Sequence, residues 1–202
     1  MFIFEPNYTL MQYQELLDSP AKHLTPEEFF RFCRDNDELR IERDQDGNVE
    51  IMPPTGFETG RRNSALITEL SIWNRQQNFG IVGDSSTGYT LPNGAVRSPD
   101  VSWISNDRLA ATTPEDRKRF VSAVPEFAVE IRSQSDRPRS LRDKIQEYLE
   151  NGVLLAWLID VPEERVEIYR SNGEMTAVEG FEQMLPGENV LPGFEFDLNW
   201  MK

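Results

Sequence analysis

A strand, helix, strand pattern in the second half of the chain constrains the fold more than any other sequence feature. Residues 127–132 read as a strand, residues 139–151 as a helix ended by Gly152, and residues 153–160 as an apolar strand. The apolar positions of the helix recur at the spacing of one helical face. Two strands joined by a helix of this length run parallel. The chain is therefore predicted to form an α/β fold.

Shorter signals add antiparallel strands and further helices. The segment Thr25-Pro26-Glu27-Glu28 combines an N-cap threonine, an early proline and a capping-box glutamate, and it predicts a helix start. A second charged helix is predicted from Thr113 to Pro125. The other predicted elements are a hairpin over 39–43 and 49–52, a long helix over 58–78, short strands at 81–83, 88–91 and 101–104, and an antiparallel pair that begins at 165–170. The fold class predicted is a mixed central β-sheet flanked by helices.

The length of 202 residues favours one domain, at roughly 100–200 residues per domain. Residues 1–24 show no sustained period and predict an irregular N-terminal arm. Residues 25–202 then form a single domain. No run of 18 apolar residues is present, so we expect a cytoplasmic protein that does not enter a membrane.

The scarcity of cysteine and histidine excludes several kinds of site. One Cys, Cys33, and one His, His23, cannot build a Cys/His zinc site, and a disulfide within the chain is impossible. A Ser-His-Asp triad would need the polar segment around His23 to fold over the core. Carboxylate and lysine side chains remain as the candidates for catalytic groups. The net charge of -14 repels polyanions, so any contact with nucleic acid must be local.

Three charged residues lie where strands and a helix bring polar groups to the edge of the predicted sheet. Asp100 opens one strand, Glu130 lies within the next among apolar neighbours, and Lys144 borders the sheet-facing stripe of the helix that follows. Two carboxylates on neighbouring strands suit Mg²⁺, which keeps several waters and binds substrate phosphates. The alternatives are structural: Asp100 as a turn residue, Glu130 paired with Arg132, and Lys144 as a surface lysine.

The order of several motifs resembles the Uma2 family of restriction-endonuclease-like proteins over roughly residues 25–197. The motifs are Ser98-Pro99-Asp100, the run Pro125 to Asp136, Lys144 with Glu147-Tyr148, Asn151-Gly152, and Trp157-Leu158-Ile159-Asp160. The resemblance implies a branch of the PD-(D/E)XK nuclease superfamily, with a mixed sheet flanked by helices. It implies Asp100 and Glu130 as the catalytic, metal-binding acids.

The resemblance also implies roles for three further residues. The superfamily lysine belongs two positions after the second acid, where this chain has Arg132. Arginine stays protonated and is suited to clamping a phosphate rather than to transferring a proton. In the Uma2 branch the lysine lies on the following helix, and Lys144 matches that place. Glu58, near the start of the long helix, is the candidate for an additional metal-binding carboxylate.

These residues together predict a Mg²⁺-dependent endonuclease, with Mn²⁺ as a substitute, that hydrolyses phosphodiester bonds in nucleic acid, with DNA the expected substrate. Exposed strand edges and the precedent of the superfamily imply a homodimer, in which two sites can address two strands. Two alternatives stay open: a non-catalytic module that binds nucleic acid or a protein, and hydrolysis of a small phosphorylated molecule. Metal dependence through Asp100 and Glu130 distinguishes a nuclease from a binding module.

Overall fold

A computed structural model of the protein describes residues 24–134 and 136–202. Four α-helices occur in this part of the chain: α1 (Pro26–Asp35), α2 (Phe57–Gln77), α3 (Asn106–Ala110) and α4 (Pro138–Glu150). The strands are β1 (Arg40–Arg43), β2 (Val49–Met52), β3 (Gly80–Asp84), β4 (Tyr89–Thr90), β5 (Val96–Arg97), β6 (Val101–Ser105), β7 (Phe127–Arg132), β8 (Leu155–Asp160), β9 (Arg165–Arg170), β10 (Met175–Glu179), β11 (Met184–Pro186) and β12 (Glu195–Asp197).

The central sheet has six strands in the order β10-β9-β8-β7-β6-β3. Strands β7 and β8 run parallel, with Glu130 opposite Leu158, and the other neighbouring strands run antiparallel. The parallel pair is the predicted crossover through α4. The sheet is therefore mixed, as the sequence predicted.

A second, four-stranded sheet has the order β2-β1-β5-β4. Its main part is the predicted hairpin, in which Arg40 pairs with Met52 and Arg43 with Val49. Strand β5, which sequence analysis did not predict, has only two residues and attaches the hairpin through the single register pair Arg43 and Val96. This small sheet lies beside the start of β6, and it therefore borders Asp100.

Helices cover both faces of the central sheet. On one face, α2 buries Leu66, Leu70 and Trp73 against side chains of β6, β7 and β8 and against the C-terminal segment. On the other face, α4 buries Ile145 and Tyr148 against a second apolar cluster. Because β7 is covered on both faces, a charged side chain in it is shielded from solvent. Such a side chain must pair with other polar groups to offset the free-energy cost of burying its charge.

Local signals located most helices correctly. The predicted capping box forms, because the Thr25 hydroxyl accepts from the Glu28 N–H and the Glu28 carboxylate accepts from the Thr25 N–H. Helix α2 ends at Asn78, whose φ of 54° lies in the left-handed region.

The charged helix predicted between Thr113 and Pro125 is wrong. Only a short 3₁₀ turn, Asp116–Lys118, forms there, and no residue of that turn is buried. The turn lies within the stretch from Glu115 to Arg119, whose five residues are all charged, so this stretch offers a helix no apolar stripe to bury. The predicted N-terminal arm lies outside the described residues except for Leu24. Among the helices that are described, none combines the length and apolarity needed to cross a bilayer.

Candidate active site

A cleft of about 930 Å³ opens between the β1–β2 hairpin, the carboxyl end of β7 and helix α4. Nine acidic and four basic residues line it. The acidic residues are Asp44, Asp46, Glu50, Asp100, Glu130, Asp136, Asp143, Glu147 and Glu150, and the basic residues are Arg40, Arg97, Arg137 and Lys144. The cleft therefore contains the three residues that sequence analysis singled out, and its lining carries an excess of negative charge.

Asp100 lies directly before β6 and is fixed by a donor on each of its carboxylate oxygens. Oδ1 accepts from Nδ2 of Asn63 at 3.1 Å, and Oδ2 accepts from the backbone N–H of Ile131 at 2.9 Å. Asn63 is a buried residue of α2, and its own Oδ1 is buried without a hydrogen-bond partner. The Asp100 carboxylate is thus held between the long helix and β7, and these two hydrogen bonds fix its orientation.

Glu130 lies on the face of β7 that turns toward α4, as the alternation of the strand predicted. Its exposed fraction is 4%, and its Oε1 accepts from the Tyr148 hydroxyl at 2.6 Å. Nζ of Lys144 lies 3.1 Å from the same oxygen. Burial raises the pKa of Glu130 to about 7; Lys144 opposes this rise, while the charges of Asp100 and Glu42 add to it. A proton therefore competes at this carboxylate near neutral pH with any cation bound there.

Lys144 bridges two carboxylates from different parts of the chain. Its Nζ lies 3.1 Å from Oε1 of Glu130 and 3.1 Å from Oε1 of Glu42. Burial alone would lower the pKa of Lys144, but the two carboxylates raise it above its usual range. Lys144 therefore remains an ammonium at working pH and acts through its charge, not as a general base.

Glu42 is a site residue that sequence reasoning missed. It is fully buried, and it accepts from the Ser98 N–H at 2.9 Å, from Lys144, and from Nη1 of Arg97 at 3.3 Å. Arg97 in turn donates from Nε to Glu147 at 2.6 Å. The alternating sequence of β1 carried no signal for this role, because the partners lie more than 50 positions away.

The structure does not bring Glu58 and Arg132 into the cleft. Glu58 is exposed in the first turn of α2 and pairs with Arg61 at 2.9 Å. Asn63, and not Glu58, is the residue of α2 that reaches Asp100. Arg132 turns to Asp160 at the end of β8, and its Nη1 lies 2.7 Å and 3.0 Å from the two carboxylate oxygens. The pair binds Arg132 to the neighbouring strand, so its guanidinium is already neutralised.

Asp100 and Glu130 are the carboxylates of the cleft that could hold a divalent cation such as Mg²⁺. No group of three or more His, Cys, Asp or Glu residues within the described ranges is arranged to hold a metal by itself. Asp100 and Glu130 offer two carboxylates in a cleft of net negative charge. Mg²⁺ binds to proteins through one or two carboxylates and completes its shell with waters and substrate phosphates. The residues fit an ion of that kind, and they do not fit a metal that needs a preformed cage.

Comparisons with known proteins agree with this architecture. The chain matches the Uma2 family model, described as "Putative restriction endonuclease", over residues 26–199. A crystal structure from Anabaena variabilis, described as a "putative nuclease belonging to DUF820", superimposes with a TM-score of 0.71 at 17% sequence identity. The match covers 89% of this chain and 99% of that one, and at this identity it concerns the fold. No curated protein matches the chain.

Proposed function

We propose that this chain, which belongs to the Uma2 family, is a Mg²⁺-dependent endonuclease that hydrolyses phosphodiester bonds in DNA. The observation that carries the proposal is the meeting of Asp100, Glu130 and Lys144 in one cleft, although they come from three separate elements. Ion pairs that only stabilise a fold do not need to line an open cleft. A carboxylate with a raised pKa, as Glu130 has, that lies in a cleft beside other titratable groups is typical of catalytic sites.

Each residue has a role in this proposal. Asp100 and Glu130 would hold Mg²⁺, or Mn²⁺ in its place. The bound ion supplies polarisation of a phosphoryl oxygen and a lower pKa for a coordinated water. Lys144 keeps its proton and offsets negative charge on the phosphate being attacked. Glu42 and Tyr148 hold Lys144 and Glu130 in place through the contacts given above.

The acidity of the chain favours a second candidate function. A net charge of -14 and a cleft lined by more acids than bases both oppose binding of a polyanion. A non-catalytic module that binds a protein on the same scaffold is compatible with that charge. Such a module would not need Asp100 or a divalent ion.

The proposal extends to a homodimer in the cytoplasm. Strands β3 and β10 are the edges of the central sheet, and Ile81 of β3 and Met175 of β10 are exposed apolar side chains on them. Unpaired edges are surfaces on which a second copy can add. Light scattering at two protein concentrations tests this part, and a monomer at both would contradict it.

Cleavage of supercoiled plasmid tests the activity. Wild type is compared with Asp100→Asn and Lys144→Ala in Mg²⁺, in Mn²⁺ and in excess EDTA. Lys118→Ala is the matched control, because Lys118 is exposed, pairs with Glu115 and does not line the cleft. We expect metal-dependent cutting that is lost in both cleft variants and kept in the control.

A folded wild type that cuts neither plasmid nor single-stranded DNA with either metal would contradict the proposal. Cutting by Asp100→Asn at the wild-type rate would also contradict it. The folded state of each variant is checked by its thermal unfolding curve.

A further inference from the structure

We propose that Arg40 contacts a phosphate of the bound nucleic acid, the role that sequence analysis had given to Arg132. This inference rests on the proposed function and adds to it the residue that recognises the anionic backbone. Arg40 lines the cleft from the first position of β1. Its guanidinium donates to the backbone carbonyl of Ser98, two residues before Asp100.

Arg40 differs from the other half-buried cations of the cleft in having no carboxylate partner among the residues that the structure describes. Arg97 pairs with Glu42 and Glu147, and Lys144 pairs with Glu42 and Glu130. In the part of the chain that is described, Arg40 forms no ion pair.

The Nε atom of Arg40 supplies a second observation, because it is buried and donates to no acceptor within residues 24–134 and 136–202. A buried donor without a partner costs about 1–3 kcal/mol, and it commonly indicates an ion or a water that belongs there. Asp84 attracts Arg40 through space, but the two form no ion pair or hydrogen bond within the described residues, and Oδ1 of Asp84 accepts from Ser86 and Thr87. Because the buried Nε faces no carboxylate, the guanidinium keeps its positive charge, and a phosphate oxygen in the cleft would bind at Nη1, which makes no hydrogen bond within the described residues.

The backbone of Ser98 fixes the position of Arg40. Arg40 and Glu42 are two positions apart in β1, so their side chains point to the same face. Nη2 of Arg40 donates to the Ser98 carbonyl at 3.1 Å, and the Ser98 N–H donates to Glu42 at 2.9 Å. Ser98 is two residues before Asp100. Arg40 is therefore preorganised beside the acid that would hold the metal.

Arg137 is the other arginine that lines the cleft without an ion pair in the described ranges, but it is exposed at the N-cap of α4. An exposed arginine must lose side-chain freedom when it binds. Arg40 has already lost that freedom, because the hydrogen bond to Ser98 holds it. Arg40 is for this reason the better candidate for a specific phosphate contact.

Equilibrium binding of a fluorescein-labelled DNA duplex tests the inference. Anisotropy is measured with Ca²⁺ in place of Mg²⁺, over a series of NaCl concentrations, for wild type, Arg40→Gln and Arg40→Lys. Arg34→Gln is the control, since it makes the same change in net charge at an exposed position far along α1. Thermal unfolding of each variant establishes that it is folded.

We expect Arg40→Gln to weaken binding by about tenfold or more, as for loss of a charge-assisted hydrogen bond. The plot of log K against log[NaCl] should also become shallower, by up to about 0.9, because one phosphate contact is lost. Arg40→Lys should keep the wild-type slope with lower affinity, because an ammonium keeps the charge but not the planar donors. Arg34→Gln should match wild type in both quantities.

Three results would overturn the inference. They are wild-type affinity in Arg40→Gln, weaker binding with an unchanged salt slope, and a wild type that does not bind the duplex. The second result would mean that Arg40 only supports Ser98. The nuclease proposal fails separately: an Arg40-dependent slope with no cleavage in Mg²⁺ refutes catalysis alone, and cleavage that is indifferent to Arg40→Gln refutes the phosphate contact alone.

Discussion

Replacement of Glu42 by glutamine should destabilise the protein far more than an ordinary surface substitution. The carboxylate of Glu42 is fully buried and faces three donors: the Ser98 N–H, Lys144 and Arg97. Glutamine has the same shape and can still accept from Ser98. Its amide nitrogen must then face one of the two cations, and the negative charge that neutralised both is gone.

The magnitude follows from the burial of the cations. Lys144 keeps Glu130 and Arg97 keeps Glu147, so neither is left wholly unpaired. Loss of one partner from a buried ion pair costs about 3–5 kcal/mol, and the remaining partners favour the lower end. We therefore expect Glu42→Gln to lower the free energy of unfolding by about 3 kcal/mol at pH 7.5. The midpoint of thermal unfolding should fall by roughly 6–12 °C for a domain of this size.

Urea unfolding followed by circular dichroism measures the change. Glu50→Gln is the matched control, because Glu50 lies 3.9 Å from Nη1 of the same Arg97, but its side chain is 65% exposed. An exposed pair contributes about 0–1 kcal/mol, so Glu50→Gln should be close to wild type. If the two variants lose the same free energy of unfolding within about 0.5 kcal/mol, the reasoning from burial is refuted.

Three further predictions concern Glu130, Tyr148 and Glu58. Burial raises the pKa of Glu130 to about 7, so folding favours the protonated form of this carboxyl group. The free energy of unfolding that protonated Glu130 contributes is complete below about pH 4.5 and is lost as the pH rises through 7. In metal-free urea unfolding, wild type should lose about 3 kcal/mol relative to Glu130→Gln between pH 5 and pH 8, and a constant difference would contradict this. Tyr148→Phe removes the 2.6 Å hydrogen bond to Glu130, which should cost about 1–3 kcal/mol and raise the pKa of Glu130 further; a pH–rate profile whose acid limb does not move toward higher pH would argue against it. Glu58→Gln should leave plasmid cleavage within about twofold of wild type, because Glu58 is exposed outside the cleft, and a large loss of metal-dependent cutting would restore Glu58 to the site.

The parts of the fold that sequence predicted correctly are those with local signals. The capping box at Thr25 and the strand, helix, strand crossover around α4 are determined by residues a few positions apart. The segment after Thr113 also has a local start signal, yet it forms only a 3₁₀ turn. A cap fixes where a helix can begin, but burial of an apolar stripe decides whether the helix persists.

The candidate site divides in the same way. Asp100, Glu130 and Lys144 could be proposed from strand alternation and motif order, and the structure brings them to one cleft. Glu42 and Asn63 could not be proposed, because each acts on a residue 37 or more positions away. For Arg132, the spacing in the sequence predicted its place in the strand but not where its side chain points. The end of β8 offered Asp160 at the parallel register position, and the ion pair formed there instead.

The negative charge of the cleft couples binding of the proposed metal ion to binding of the proposed DNA substrate. Arg97 and Lys144 are already paired with carboxylates, so they add little to the attraction of a polyanion toward the cleft, and the role proposed for Lys144 concerns only a phosphate already bound beside it. A divalent ion on Asp100 and Glu130 would reduce the negative charge that opposes DNA, and a DNA phosphate would supply oxygen ligands that the two carboxylates lack. Each would therefore raise the affinity for the other by the same factor, because coupling between two bound ligands is reciprocal. Without that coupling, an acidic cleft of this composition would have no source of affinity for DNA beyond Arg40 and the exposed Arg137.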